Sequence, residues 1–204
     1  MAGGGARRGR AKAPDPGSWR ARTDAELLTP GAWRARAAAH HLVGVMGYAG
    51  RWRDEAGDPI AARKADARRL LGAELRRARE AHGERLIMVS GATQQGVLEV
   101  AYALCVELSI VAAGVTAERA LAYGLAPMAL LVCGGRNFGD ESALFVETCH
   151  EFIVLGGGDQ SRREAVMAAS QGKPVTLIRG FGGAADALGP GEVPTARIVE
   201  RRAV

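Results

Sequence analysis

The chain has few aromatic residues, three Trp, three Tyr and four Phe among 204, and only three cysteines. Those cysteines, Cys105, Cys133 and Cys149, are odd in number, far apart and each set among apolar residues. That excludes a disulfide framework and reads as free, buried thiols in a reducing cytoplasm. No segment is apolar for long enough to span a bilayer, since the longest uncharged run, Ala120 to Gly135, is broken by glycines and Pro127. No apolar core follows the first arginines, so a secretory leader is not expected. Metal-ligand spacing is also missing: Cys149 and His150 would diverge by about 100° on a helix, and no third ligand stands at a suitable distance. No protein-bound metal is expected.

Charge of one sign is missing from most of the chain. The formal net charge of +5 resides in residues 1–40, where eight Lys/Arg face three Asp/Glu, whereas residues 41–204 balance at 19 against 19. Attraction to polyanions therefore belongs to the N-terminal extension, and neither a nucleic-acid polymer nor a membrane surface is an expected partner of the remainder. Residues 1–40 are rich in Gly, Ala, Arg and Pro and read as a basic, largely disordered extension, with disorder to about residue 25. Around Trp33 to His41 a short helix is expected against the domain edge, with Trp19 and Trp33 as anchors. An Arg/Ala-rich start is also compatible with organellar import, although serine is scarce and Asp15 comes early.

What is present, from residue 41 to about 185, is an alternation of short apolar runs and amphipathic segments. His41–Gly47 reads as a strand ending in the glycines of Gly47-Tyr48-Ala49-Gly50. Asp58 and Pro59 cap a helix from Ile60 to His82, with Ala67, Leu71, Leu75 and Ala78 on one face, arginines on a solvated face and Gly83 at its end. Further strands are expected at Arg85–Val89, Ile110–Val115, Met128–Cys133, Phe152–Leu155 and Val175–Ile178. Helices are expected from Val97 to Leu108, from Ala143 to Thr148 and from the Gly156–Gly158 turn to Gln171, with a loop or short helix at 116–120. Residues 186–204 read as a C-terminal tail. The alternation implies an α/β fold: a parallel sheet in three layers, helices on both faces, and a ligand crevice at the carboxyl ends of the strands.

Four polar or glycine-rich loops fall at such strand ends. In Val154-Leu155-Gly156-Gly157-Gly158-Asp159-Gln160-Ser161, glycines let the backbone turn sharply near a ligand, and the following amides sit at the positive end of a helix dipole. Ser90-Gly91-Ala92-Thr93-Gln94-Gln95-Gly96 repeats the arrangement, and Gly134 to Ser142 supplies a polar loop. Together the loops point to an anionic or nucleotide-like ligand. The dinucleotide fingerprint and the G-x-x-x-x-G-K-[ST] phosphate loop are both absent.

The pair Ser90–Gly96 and Gly156–Glu164 resembles the motifs of the LOG-like (SLOG) Rossmann superfamily, over about Leu42 to Ile178. That group includes cytokinin-activating phosphoribohydrolases once mislabelled lysine decarboxylases, DprA-like proteins and molybdenum-cofactor carriers. Against the hydrolase pattern P-G-G-x-G-T-x-x-E, Gly157 and Gly158 match the glycine pair, Ser161 the threonine and Glu164 the glutamate; Gly156 replaces the proline and Gln160 the last glycine. The hydrolases place a phosphate-binding arginine about fifteen residues earlier, where this chain has Glu141-Ser142. The resemblance is thus closer to the molybdenum-cofactor-carrier and nucleotide-sensing branches, and it implies a Rossmann-like fold and a homodimer.

Two functions follow. In one, a nucleotide or a phosphate-bearing cofactor, the molybdenum cofactor among them, is bound as by a carrier or sensor. The ligand-facing residues are then Gly47, Tyr48, Ser90, Gly91, Thr93, Gln94, Gly96, Arg136, Asn137, Asp140, Ser142, Gly156, Gly157, Gly158, Asp159, Gln160 and Ser161. In the alternative, a nucleoside 5′-monophosphate phosphoribohydrolase, Glu164 or Glu141 is the catalytic carboxylate, contacting ribose or activating water at C1′. Simpler roles exist for several of these: Glu164 as a first-turn glutamate, Asp140 and Glu141 as helix caps, Arg136 as an exposed loop residue. Val97, Val100, Leu104 and Leu108 form a stripe that either covers the sheet or supplies a dimer interface.

Overall fold

The computed structural model describes residues 22–48, 52 and 59–201. The expected disorder before Arg22, the anchor Trp19, Ala49 and Gly50 of the first loop, and the cap Asp58 lie outside the described residues. Among the described residues eight strands form one parallel sheet: β1 (Glu26–Leu28), β2 (His41–Gly47), β3 (Leu86–Ser90), β4 (Val111–Ala117), β5 (Leu130–Gly135), β6 (Glu151–Leu155), β7 (Val175–Arg179) and β8 (Arg197–Glu200). Their order is β1-β5-β4-β3-β2-β6-β7-β8. Six described α-helices cover it: α1 (Pro30–Ala38), α2 (Ile60–His82), α3 (Gly96–Glu107), α4 (Ser142–Thr148), α5 (Asp159–Ser170) and α6 (Gly183–Ala187).

Alternation along each strand divides the core in two. Leu42 and Met46 of β2, with Ile87 and Val89 of β3, face the layer built from α1, α4, α5 and α6. Val43 and Val45, with Leu86 and Met88, face α2 and α3. Runs apolar on both faces are what a parallel sheet between two helical layers requires. Gly44 is the exception within β2, because a Cβ there would stand 2.5 Å from the Phe152 ring and 2.9 Å from that of Phe145. Its bare surface admits the edge-to-face pair Phe145–Phe152, with ring centroids 5.5 Å apart.

The amphipathic reading of α2 matches its bounds, with Ala67, Leu71, Leu75 and Ala78 buried and Gly83 at φ +57° beyond its end. One arginine departs from the solvated face: Arg63 is buried and donates to the Phe181 carbonyl at 2.9 Å. In α3, Val97, Val100 and Leu104 are buried among α2 and sheet side chains. Of the two readings of that stripe, covering the sheet is the one these three residues follow. The helix α1 begins with Thr29 accepting the Ala32 amide at 3.2 Å and Pro30 in its first turn. Its Trp33 is fully buried, the indole donating to Thr148 Oγ1 at 3.0 Å. Cys105 and Cys149 are buried and Cys133 half-buried, all free; burial pushes the Cys105 thiol up to about 12.

The reading of the two ends had no strand in it. β1 is only three residues long, with Glu26 exposed and Leu27 and Leu28 half-buried, and β8, Arg-Ile-Val-Glu where a tail is expected, is largely exposed; both are edge strands. Charged edges discourage further pairing but also erase the hydrophobic pattern by which strands are recognised. No described helix is long and apolar enough to cross a membrane.

Candidate functional site

The chain lays down β3, β4 and β5 on one side of β2, then crosses to place β6, β7 and β8 on the other. The connections leaving β2 and β6 therefore diverge, α2 to one layer and α5 to the other. Such a switch point opens a crevice at the carboxyl ends of the strands. Here it is a cavity of about 400 Å³, within the range of small-ligand sites. Gly47, Tyr48, Ser90, Gly91, Thr93, Gly158, Asp159, Gln160, Ser161, Glu141 and Glu164 line it, so eleven residues named from sequence meet in one place.

Its polar wall is a buried network. Glu164 Oε1 accepts from Ser142 Oγ at 2.6 Å and from Gln160 Nε2 at 2.9 Å. Gln160 Nε2 also donates to Glu141 Oε1 at 2.9 Å, while Glu141 Oε2 accepts the Gly139 amide at 2.9 Å. Gln160 thus bridges two carboxylates that are 4% and 7% exposed. Burial raises the Glu164 carboxyl above its ordinary value, with nearby Glu141 adding to the rise and the bonds from Ser142 and Gln160 opposing it.

Beside this wall α5 begins without a side-chain cap hydrogen bond at Gly158, and Gly158, Asp159, Gln160 and Ser161 of that uncapped start line the cavity. The preceding glycines work differently. Gly156 and Gly157 have φ of +64° and +90°, and their carbonyls accept the amides of Ala185 and Ala184 at 2.9 Å each. They fasten the turn to α6 and do not line the cavity. The first turn shows the same division. Ser90 Oγ donates to the Val45 carbonyl at 2.8 Å, and the buried Tyr102 phenol accepts the Ala92 amide and donates to the Ala113 carbonyl, each at 3.1 Å. Thr93 Oγ1, by contrast, is buried with no hydrogen-bond partner and belongs to a residue on the cavity wall.

Other named residues stand apart. Gln94 and Gly96 face a second depression with Trp52 and Lys64. Asp140 Oδ2 accepts the amides of Arg136 and Asn137 at 3.0 and 2.9 Å, closing the loop on itself. Arg136 is exposed and turned to Glu118, 3.7 Å away. It does not line the cavity, so it does not supply the arginine in whose place this chain has Glu141-Ser142. Ser142 reaches the site through Glu164 and Gln160.

Sequence reasoning missed the apolar lining, Met46, Leu98, Val115 and Phe145, along with Gln95, Tyr123 and Phe138. Tyr123 and Phe138 pack ring against ring at 5.9 Å and, like Tyr48, remain more than a third exposed. In a chain with so few aromatics, two of them in polar or glycine-bearing loops after strands were the available signal. The described lining residues include Glu141, Asp159 and Glu164 but no Lys or Arg.

Comparison with known proteins agrees with this architecture. No protein-family model matches the chain, and no curated protein does. Solved structures share its fold. The X-ray structure of TM1055 is similar at 22% identity and TM-score 0.59, over 78% of this chain and 91% of that one. The molybdenum cofactor binding protein from the phototrophic bacterium Rippkaea orientalis is similar at 16% identity and TM-score 0.56, covering 78% and 88%. The molybdenum cofactor carrier protein from Chlamydomonas reinhardtii gives 19% and 0.54, covering 78% and 89%. At these identities the likeness is one of fold: an α/β, Rossmann-like parallel sheet flanked by helices.

Proposed function

We propose that the crevice binds a nucleotide or another phosphate-bearing cofactor and holds it without turnover, as a carrier or sensor. The observation that carries this reading is the uncapped start of α5, open to a cavity at the switch point of the sheet. With no Lys or Arg on the described lining, main-chain amides at Gly158 to Ser161 hold the phosphate. Tyr48, Tyr123 and Phe138 offer ring faces on which a planar heterocycle stacks. Glu141 and Glu164 accept from ribose hydroxyls or ring N–H groups, and Thr93 Oγ1 gains its missing partner. Two of the solved structures with this fold are described as molybdenum-cofactor proteins, which adds that cofactor to the candidates.

One observation favours turnover instead: two buried carboxylates bridged by Gln160, with Glu164 shifted upward as an acid–base group would be. On that reading Glu164 or Glu141 activates water at C1′ of a nucleoside 5′-monophosphate and a free base leaves. The exposed, outward Arg136 weighs against it. Incubating the protein with AMP, GMP, CMP and UMP, and resolving products by chromatography, decides the matter. Binding with no base released supports the carrier or sensor. Base release that vanishes in Glu164→Ala replaces it with the hydrolase.

A further inference from the structure

We propose that His41, His82 and Glu151 form a binding site for a divalent metal ion of the zinc type, at the end of the sheet opposite the crevice. Topology assembles it. His41 opens β2 and Glu151 opens β6, neighbouring parallel strands whose register pairs Val43 with Glu151. The helix α2 runs back from the carboxyl end of the sheet, so its last residue, His82, arrives where those strands begin. One ligating atom from each of the three side chains lies within 4.8 Å of the others.

The chemistry suits a borderline metal. Two imidazoles and a carboxylate are a zinc donor set that leaves a fourth position for water. His41 and His82 stack with centroids 3.4 Å apart and planes 8° from parallel, and His150 extends the stack at 4.9 Å. Three of the chain's four histidines are thus gathered here. His82 also sits in the last turn of α2, where the helix dipole favours a cation.

An outer partner orients the carboxylate. Arg77 Nη2 holds Glu151 Oε2 at 3.0 Å, leaving Oε1 toward His41 Nε2 at 3.4 Å. The charge of Arg77 is shared with Glu74, 3.2 Å from its Nε. Donors around a tetrahedral zinc stand roughly 3.3 Å apart, so binding requires the stacked rings to splay by side-chain rotation. His41, His82 and Glu151 are all only partly buried, which leaves room for that rotation.

The test is titration of the full-length protein with Zn²⁺ alone, by calorimetry and by the shift of the thermal midpoint. The expected result is one equivalent bound and a higher midpoint. Affinity should fall at least about tenfold in His82→Ala and in Glu151→Gln, as for loss of a ligand. It should be unchanged in His40→Ala, which removes the remaining imidazole, and in Cys133→Ser. Absence of stoichiometric binding by the wild type overturns the site, as does binding that survives both ligand substitutions.

Discussion

The two strand-to-helix turns beside the crevice are built from similar residues and divide their labour in the same way by different means. In the turn after β3, hydroxyls do the fastening: Ser90 ties to β2 and the Tyr102 phenol bridges Ala92 to β4, while Thr93 is left for the cavity. In the turn after β6, backbone does it: the carbonyls of Gly156 and Gly157 anchor on α6, while the amides of Gly158 to Ser161 are left without a cap. In both, the residues that draw the eye in sequence are scaffold, and the ligand-facing atoms lie just beyond them. A substitution at Gly157, whose Cβ would fall 2.7 Å from that of Ser161, thus tests the fold more than the ligand.

The comparison breaks most visibly at α6. Gly183 has φ +69°, and a Cβ there would run into the Gly157 carbonyl. Gly183→Ala should cost about 3 kcal/mol or more, read as a lower urea midpoint. Its counterpart in the first turn is Tyr102→Phe, which leaves a buried amide and a buried carbonyl without their partner. The expected cost is about 1–3 kcal/mol in the same measurement.

Glu164→Gln sharpens the comparison through pH. Because burial raises the folded-state carboxyl above 4.5, the native protein holds that proton more tightly than the unfolded chain. Its stabilisation is fully present below pH 4.5 and is lost as pH rises through the folded value. Glutamine carries no such dependence, so the variant should gain on the wild type between acidic and neutral pH in denaturation curves. The smallest effect on stability belongs to Thr93→Val, which removes an unpaired hydroxyl and should change it by less than about 1 kcal/mol. Nucleotide affinity should nevertheless fall roughly 2- to 12-fold, the worth of one hydrogen bond.

Sequence made the six inner strands and α2 to α5 legible because each carries its own pattern: buried runs on both faces, an apolar stripe, a glycine at an end. The edges β1 and β8 were hidden because a short, charged, half-exposed strand has no such pattern. Within the site, Gln160 and Ser161 followed from their place at a helix start after the glycines, and Glu164 from the resemblance of that segment to the P-G-G-x-G-T-x-x-E motif. The partnership of Gln160 with Glu141 did not, since it joins two helix starts that only the sheet order brings together. Phe138 and Tyr123 were missed for the same reason. Asp140 was read as ligand-facing because a loop carboxylate looks free until the amides it caps are seen.

The central claim is that the open amides of α5 bind the phosphate, and Gly158→Asp tests it most directly. A Cβ at Gly158 meets nothing within 4 Å and its φ is −107°, so aspartate fits there and can cap the helix itself. The measurement is calorimetric titration of wild type and variant with AMP, GMP, CMP and UMP, beside their thermal midpoints. The account predicts that the wild type binds at least one of these, and that the variant is at least as stable yet no longer binds. Unchanged affinity in the stable variant, or no binding by the wild type, would contradict it.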